Sequence, residues 1–323
     1  MVVPYPILFT ADWHLKLGQK NVPVAWARKR YQTFFNEVHK LEKEVDLHII
    51  GGDLFDRLPT MDELELYFEF VSGVSVRTLI YDGNHEATKK NRTFLTQLKK
   101  ATKEVNPLVN ITDSVHNEER FGVLPYCELH GKWHAKDFSI RKPLFTHVRG
   151  AIPPHVTPEV DLRRFAQFPI VYAGDLHSHS NTQLNIVYPG SPMTTQFHRS
   201  LVDTGYIIIE GSVGLEWEWR KFELPQLVRK TVSNPKEMIP TEYHHTIYEL
   251  EGDIADLSAV ANSDLLDKKV VKRKTEAALI LDKDMTIEEE LVEYLSYILE
   301  LEDNKVKDIL STFHDYSKEI AVG

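Results

Sequence analysis

Three short apolar runs, each broken off by a polar cluster, constrain this chain more than any other feature of its sequence. Residues 7–10 run into Asp12-Trp13-His14, residues 47–50 into Gly51-Gly52-Asp53, and residues 76–81 into Asp82-Gly83-Asn84-His85-Glu86. Apolar runs of this length, bounded by turn-forming residues, predict strands. The stretches 24–44, 60–71 and 89–104 carry the amphipathic spacing of helices. Strand and helix in alternation favour a largely parallel sheet buried by helices on its faces. Ligands of open sheets of this kind bind beyond the carboxyl ends of the strands, so the three polar clusters are expected to converge.

After Pro107 the pattern changes to short strands at 121–125, 144–146, 169–173 and 186–188. Two of them again end in polar residues, at His147 and at Gly174-Asp175-Leu176-His177-Ser178-His179. Residues 206–210 and 215–224, separated by Gly211 to Gly214, predict a hairpin that closes the domain. With 323 residues the chain exceeds the usual size of one hydrophobic core. We expect a main domain over 1–230, a small α/β module over 231–284 with strands at 245–250 and 277–281, and a helical pair over 285–323. Thr286 and Glu289 form a capping-box pattern, and Ile287, Leu291, Tyr294, Ile298 and Leu301 recur at helical spacing. A second helix begins near Asp303, with Val306, Ile309, Leu310, Phe313 and Ile320 on its apolar side. Val292, Leu295 and Leu299 add a second apolar stripe to the first helix, which therefore needs a cover, from this chain or another.

The net charge of −10 looks unfavourable for binding a polyanion. The deficit is local: from Asp282 onward there are 12 acidic and 4 basic residues, which leaves −2 for everything before. Nucleic acid is therefore not excluded as a partner of the main domain. Lys16, Lys20, Arg57, Lys89, Lys90 and Arg92 fall in loops or helix starts near the polar clusters, where they could meet phosphates. Cys127 is the only cysteine, which rules out an intrachain disulfide and fits a reducing compartment. The N-terminus carries no basic leader, and no run of 18 apolar residues predicts a membrane span. No Gly-x-x-x-x-Gly-Lys-Ser/Thr pattern occurs, so any ATP hydrolysis would come from another subunit.

Cleaving a phosphodiester needs a strong oxygen nucleophile at neutral pH and positive charge on the developing oxyanions. Two divalent ions about 3.5 to 4 Å apart meet both needs. Such a pair requires a bridging carboxylate and several single ligands of mixed nitrogen and oxygen type. Asp12 and His14 project from one strand end with Trp13 turned the other way, and Asp53 offers the bridge. Asn84 adds a neutral carboxamide beside the imidazole of His85.

In order and spacing, Asp12-x-His14, Gly52-Asp53-Leu-Phe-Asp56 and Gly83-Asn84-His85-Glu86 resemble the motifs of the calcineurin-like metallophosphoesterase superfamily. That resemblance implies a β-sandwich flanked by helices, an α/β fold, and one histidine after a later strand, which His147 fits. It also implies a Gly-His-x-His pair, for which Gly174-Asp175-Leu-His177 and His177-Ser-His179 compete. The reading through Asp175 and His177 is preferred because Gly174 ends the strand where the backbone must turn sharply; His179 is the alternative. By resemblance Asp12, His14 and His177 hold one ion, Asn84, His147 and Asp175 the other, and Asp53 bridges. His85 then acts on the scissile phosphate or the leaving oxygen, and Asp56 orients a ligand.

Within the superfamily, residues 51–56 and 81–86 and the segment Val187-Tyr-Pro-Gly-Ser-Pro192 resemble SbcD-type recombination nucleases, some of them phage-encoded. That resemblance implies a nuclease using two divalent ions, preferably Mn2+, with Mg2+ as the alternative. It acts on DNA as double-stranded ends, hairpins or single strands, in recombination, repair or replication. It further implies a small α/β capping domain, C-terminal helices that grip a coiled-coil SbcC-type ATPase, a homodimer, and a cytoplasmic setting, the host's if the chain is phage-encoded. The remaining histidines, among them His39, His48 and His198, lack the strand-end context, and Trp13 and Phe55 read as core.

Overall fold

Two sheets packed face to face carry the computed structural model of this chain, which describes residues 6–89, 91–138, 141–211, 215–271, 286–299 and 301–320. The chain opens with β1 (Ile7–Thr10), α1 (Val24–Leu41), β2 (Leu47–Gly51), α2 (Met61–Gly73) and β3 (Arg77–Tyr81). A small hairpin of β4 (Ala87–Lys89) and β5 (Arg92–Thr93) precedes α3 (Leu95–Val105) and β6 (Val109–Thr112). Next come β7 (His116–Asn117), β8 (Gly122–Leu124), α4 (Tyr126–Leu129), β9 (Leu144–His147), β10 (Val171–Gly174) and β11 (Ile186–Val187). The strands β12 (Gly205–Glu210), β13 (Glu216–Lys221), β14 (Leu227–Val232) and β15 (His245–Gly252) follow, then α5 (Ile254–Ala259), β16 (Leu266–Val271), α6 (Ile287–Glu293) and α7 (Asp303–Ile320).

The first sheet has the order β13-β12-β1-β2-β3-β6 and the second β11-β10-β9-β8-β7. β1, β2, β3 and β6 run parallel, and the antiparallel β12 and β13 extend one edge, so the expected βαβαβ unit forms the centre of a mixed sheet. Period-two alternation explains the layers. Ile7, Phe9, Ile49, Leu79, Tyr81 and Ile207 point at the second sheet and pack with Val123, Phe145 and Tyr172. Leu8, Ile50, Ile80 and Ile208 point the other way, onto Phe34, Phe35, Leu66, Phe70 and their neighbours on α1 and α2. The outer face of the second sheet is covered by Leu129, Trp133, Phe165 and Phe168. The result is the β-sandwich flanked by helices. Trp13 and Phe55 lie in its core, 1% and 0% exposed.

Three local departures from the sequence expectation have physical causes. The third helix starts at Leu95, not near residue 89, because the Glu86 carbonyl accepts the Phe94 N–H (3.1 Å) and Ala87 pairs with Thr93 across a hairpin. Residues 109–112, unassigned from the sequence, add β6 to the open edge of β3. Residues 227–232, which span the boundary expected between 230 and 231, form β14, which pairs in parallel with β15 from Leu227 opposite His245 to Val232 opposite Leu250. The turn at 212–214, the residue Lys90 and the strand expected at 277–281 lie outside the described residues.

The chain divides into two compact units, Met1–Leu250 with Ala261–Lys268, and Glu251–Val260 with Lys269–Gly323. In the second unit α6 begins at the expected capping box, with the Glu289 N–H donating to the Thr286 hydroxyl and the Glu289 carboxylate accepting from the Thr286 N–H. It continues as a π-helical turn over Tyr294–Ile298. Leu295 and Val306 are buried, whereas Ile287, Tyr294, Leu299 and Ile309 are exposed. Among the described residues no helix is long and apolar enough to cross a membrane.

Candidate metal centre

The loops after β1 and β2 run side by side, and this is what aims the first ligand candidates. Asp12 N–H donates to the Gly52 carbonyl (3.0 Å), His14 N–H to the Asp53 carbonyl (2.9 Å) and Leu15 N–H to the Leu54 carbonyl (2.8 Å). The pairing forces Asp12, His14 and Asp53 into left-handed backbone, with φ of 57°, 47° and 49°. L residues adopt that region at a cost, and it collects at functional sites. Trp13 anchors the bend from below, edge-on to Phe34 and Phe70 at 4.8 Å each, with its indole N–H on the Thr10 hydroxyl at 3.0 Å.

A buried carboxylate ties this strand pair to the next. Glu86, wholly buried, accepts the backbone N–H groups of Asp53 (3.0 Å), Phe55 (2.8 Å) and Gly83 (2.8 Å). Burial and the neighbouring Asp53 push its carboxyl up to about 8. Gly83 is obligatory here, since a Cβ would stand 2.2 Å from Asp53 Oδ1 and 2.5 Å from Asp53 N. The second sheet meets the first at Gly174, where a Cβ would fall 2.4 Å from the Gly51 carbonyl oxygen and 2.6 Å from His147 Nδ1.

Eight side chains foreseen from the sequence meet at this junction. Asp53 uses Oδ1 to accept the His85 N–H (2.9 Å) and directs Oδ2 inward, 3.5 Å from His147 Nε2, 3.7 Å from His14 Nε2 and 3.9 Å from His85 Nε2. Asp12 accepts the Asp175 N–H on Oδ1 (2.9 Å), while its buried Oδ2 has no hydrogen-bond partner among the described residues. His147 turns Nδ1 to the Gly51 carbonyl (2.9 Å) and Nε2 to Asn84 Oδ1 (3.0 Å). His177 turns Nδ1 to the Thr195 hydroxyl (3.1 Å), so its Nε2 faces His14 Nε2 at 3.0 Å. An oxygen at Nδ1 favours the tautomer that keeps the Nε2 lone pair for a metal. Asp175 lies at the far side, its Oδ1 4.0 Å from His147 Nε2.

The electrostatics of the cluster are those of a cation site. Burial pushes the Asp12 carboxyl well above its ordinary range. Burial also opposes ionisation of Asp53, yet His147, His14 and His85 outweigh it and hold that carboxyl low. Burial and the nearby His14 push the His177 imidazole down to about 3, which keeps it neutral. Converging imidazoles, buried carboxylates and one orphaned carboxylate oxygen form the donor set that divalent ions of borderline hardness take. Among the described residues three groups are placed to share an ion: Asp12, His14 and His177; Asp12, Asp53 and His147; and His14, Asp53 and His85.

The remaining candidates separate clearly. Asp56 binds Lys16 Nζ at 2.7 Å and stands 3.6 Å from His14 Nδ1; His14 and Lys16 hold its carboxyl well below the usual range. His85 sits at the rim, its side chain 36% exposed, with Nδ1 2.6 Å from the Asp56 carbonyl oxygen. His179 turns away: its Nδ1 lies 2.6 Å from the Tyr188 carbonyl and its ring stacks on Trp219 at 5.3 Å. Arg57, expected to be a phosphate contact, is paired with Glu63 at 2.9 Å, as Lys16 is with Asp56, while Lys20, Lys89 and Arg92 are exposed.

Sequence reasoning missed Glu86 and Arg149 as working parts. Glu86 was visible as the last residue of the Gly-Asn-His-Glu cluster, and Arg149 stands two residues after His147. Arg149 grips Asp175 with Nε to Oδ2 (3.2 Å) and Nη2 to Oδ1 (3.1 Å). Next to His177 opens a groove of about 850 Å³, lined by Ser178, Asn181, Thr195, Gln196 and His198 among others.

Comparison with known proteins places these observations. A family model described as calcineurin-like phosphoesterase matches residues 5–194, a span that holds all seven ligand candidates and His85. The chain is 37% identical to the probable exonuclease subunit 1 of Escherichia phage T5, over 97% of this chain and 99% of that one. A protein of Invertebrate iridescent virus 3, named as a phosphoesterase, is 24% identical over 68% of this chain and 67% of its own. A crystal structure from Thermus thermophilus superposes with a TM-score of 0.41 at 14% identity, covering 67% of this chain and 98% of that one.

Proposed function

The chain belongs to the calcineurin-like phosphoesterase family and is a metal-dependent phosphoesterase, and from that premise we propose that it is a DNA nuclease subunit. The observation that carries the metal assignment is the convergence of His147 Nε2 (3.5 Å) and His14 Nε2 (3.7 Å) on the inward oxygen of Asp53, beside the unpartnered Oδ2 of Asp12. In this reading Asp53 would bridge two divalent ions, both Mn2+ by preference, with Mg2+ as the alternative. Asp12, His14 and His177 hold one, and Asn84, His147 and Asp175 the other. When bound, the ions supply charge for the developing oxyanion and an acidified water as nucleophile.

His85, at the rim with Nδ1 occupied by the Asp56 carbonyl, presents Nε2 to the substrate side and serves the leaving oxygen. Asp56 keeps His14 in place. Asp175 is preferred over His179 as a ligand because His179 is committed to Tyr188 and Trp219.

DNA as the substrate is supported by the phage relative, named an exonuclease subunit and collinear with nearly the whole chain. The word subunit supports a partner. We assign that partner as a coiled-coil SbcC-type ATPase bound by residues 285–323, where Ile287, Tyr294, Leu299 and Ile309 are exposed. Residues 1–230 are then the nuclease domain and 231–284 the capping domain. The working form is a homodimer in a host cytoplasm.

The test is hydrolysis by the purified chain with Mn2+ of linear duplex DNA, a phosphopeptide and cyclic AMP, side by side. Cleavage of DNA is expected. Turnover of phosphopeptide or cyclic AMP with DNA left intact would sink the nuclease reading in favour of a phosphatase or cyclic-nucleotide phosphodiesterase. For the partner, the chain lacking 285–323 should keep metal-dependent cleavage but fail to co-purify with the ATPase.

A further inference from the structure

We propose that Arg149 and Asp175 work as one unit, in which the guanidinium restores to the metal centre the positive charge that a third carboxylate removes. The inference rests on the metal reading above for Asp175, but its foundation is geometric. Arg149 bonds both carboxylate oxygens, Nε to Oδ2 at 3.2 Å and Nη2 to Oδ1 at 3.1 Å, the two-point pairing that planar guanidinium suits and ammonium does not. The Asp175 side chain is 5% exposed and that of Arg149 40%, so the cation stands between a buried carboxylate and solvent. Both partners are pinned through their backbones. Asp175 N–H is on Asp12 Oδ1 (2.9 Å), and Arg149 N–H is on Glu159 Oε1 (3.2 Å), whose other oxygen accepts the Tyr126 hydroxyl (2.9 Å).

Charge bookkeeping gives the pairing its purpose. As metal ligands, Asp12, Asp53 and Asp175 would bring three negative charges to the site, and Asn84 and the imidazoles, which ligate through a lone pair, none. Two divalent ions would leave a single net positive charge for an incoming phosphodiester anion; Arg149 doubles it. The bidentate grip takes one lone pair from each oxygen and leaves Oδ1, the oxygen 4.0 Å from His147 Nε2, a second lone pair for a metal. Arg149 is therefore a positioning residue for Asp175 that also shapes the field met by the substrate. A neutral side chain at 175 should remove the need for it.

The test compares the full-length wild type with Arg149→Gln, Asp175→His and the double variant. Thermal denaturation of metal-free protein reads the pair without reference to any ion. Arg149→Gln leaves a buried carboxylate unpaired and is expected to lower Tm by about 2–4 °C, a loss that Asp175→His in the same chain should abolish. With Mn2+ present, Arg149→Gln should cut DNA cleavage by roughly 10–100-fold, and the double variant should return to within about tenfold of Asp175→His alone. Equal losses from Arg149→Gln in both backgrounds would overturn the proposal. Should Arg149→Gln fail to fold, Arg149→Lys, which keeps charge but not the two-point grip, must show a smaller loss that Asp175→His likewise removes; additivity there also overturns it. Calorimetric titration of Asp175→Ala with Mn2+ judges the underlying reading separately. Two ions bound with unchanged affinity would mean that Asp175 is no ligand, whatever the coupling measured without metal.

Discussion

The two sheets deliver their ligand candidates to the same point by different means. From the first come Asp12, His14, Asp53, Asn84 and His85, held by backbone: adjacent loops hydrogen-bond to each other, three residues stand in left-handed conformation, and Glu86 clamps three N–H groups. From the second come His147, Asp175 and His177, whose side chains lean on few partners: the Gly51 carbonyl and Asn84 for His147, the Arg149 guanidinium for Asp175 and the Thr195 hydroxyl for His177. A backbone scaffold is over-determined and survives the loss of one contact; a side chain held by one partner does not. The first half should therefore fail through stability, and the second through geometry.

The largest effect is expected where the halves meet. Asp53→Asn removes the carboxylate that faces imidazoles from both sheets and should cost on the order of 10⁴-fold in kcat, with loss of metal binding by calorimetry. His85→Ala should also lose cleavage, on the order of 10²–10³-fold, yet bind both ions as the wild type does. If it lost metal as well, the rim would belong to the ligand set. Gly174→Ala would push a methyl group into the Gly51 carbonyl and His147 and should cost about 2–3 kcal/mol in urea denaturation, while weakening metal binding through His147.

Glu86→Gln tests the clamp: an amide cannot accept all three N–H groups, and a loss of about 2 kcal/mol is expected with metal stoichiometry intact. Thr195→Val should do the reverse, leaving stability alone while weakening metal affinity about tenfold through His177. Equal effects on both readouts from either variant would erase the contrast between the sheets.

The smallest effect tests an outlying tie of the first half. Glu63 accepts the Leu17 N–H at 2.8 Å and pairs with Arg57. Burial raises its carboxyl, but Arg57 and the N–H donors of Thr60 and Leu17 prevail and hold it below its ordinary value of 4.5. Its contribution is thus fully present above 4.5 and is lost as pH falls through the lower folded-state value. Glu63→Gln should cost about 1 kcal/mol at pH 7, and the difference from wild type should vanish under acid.

The same contrast decided what could be read without coordinates. The first half was legible because each ligand candidate follows its strand within a few residues, so that strand position and side-chain alternation place it. In the second half His179 and Asp175 are both two residues from His177, and only the turn expected at Gly174 favours Asp175. What turns His179 aside is the Tyr188 carbonyl and the Trp219 ring, both brought there by tertiary packing. The hairpin at 87–93 was hidden for a similar reason. Its residues suit a helix start, and only the Glu86 carbonyl, positioned by the clamp, stops one from forming there. β6 and β14 escaped notice because edge strands owe their existence to a neighbour rather than to their own composition.

The contact at Gly174 has one more consequence. With Gly51, Gly174 and His147 touching across the sandwich, the distance between the two sheets is also the distance between the two sets of ligands. Phe9, Phe145 and Tyr172, in mutual contact in the interior at ring separations of 5.1 to 6.0 Å, then act as the spacer that sets this distance.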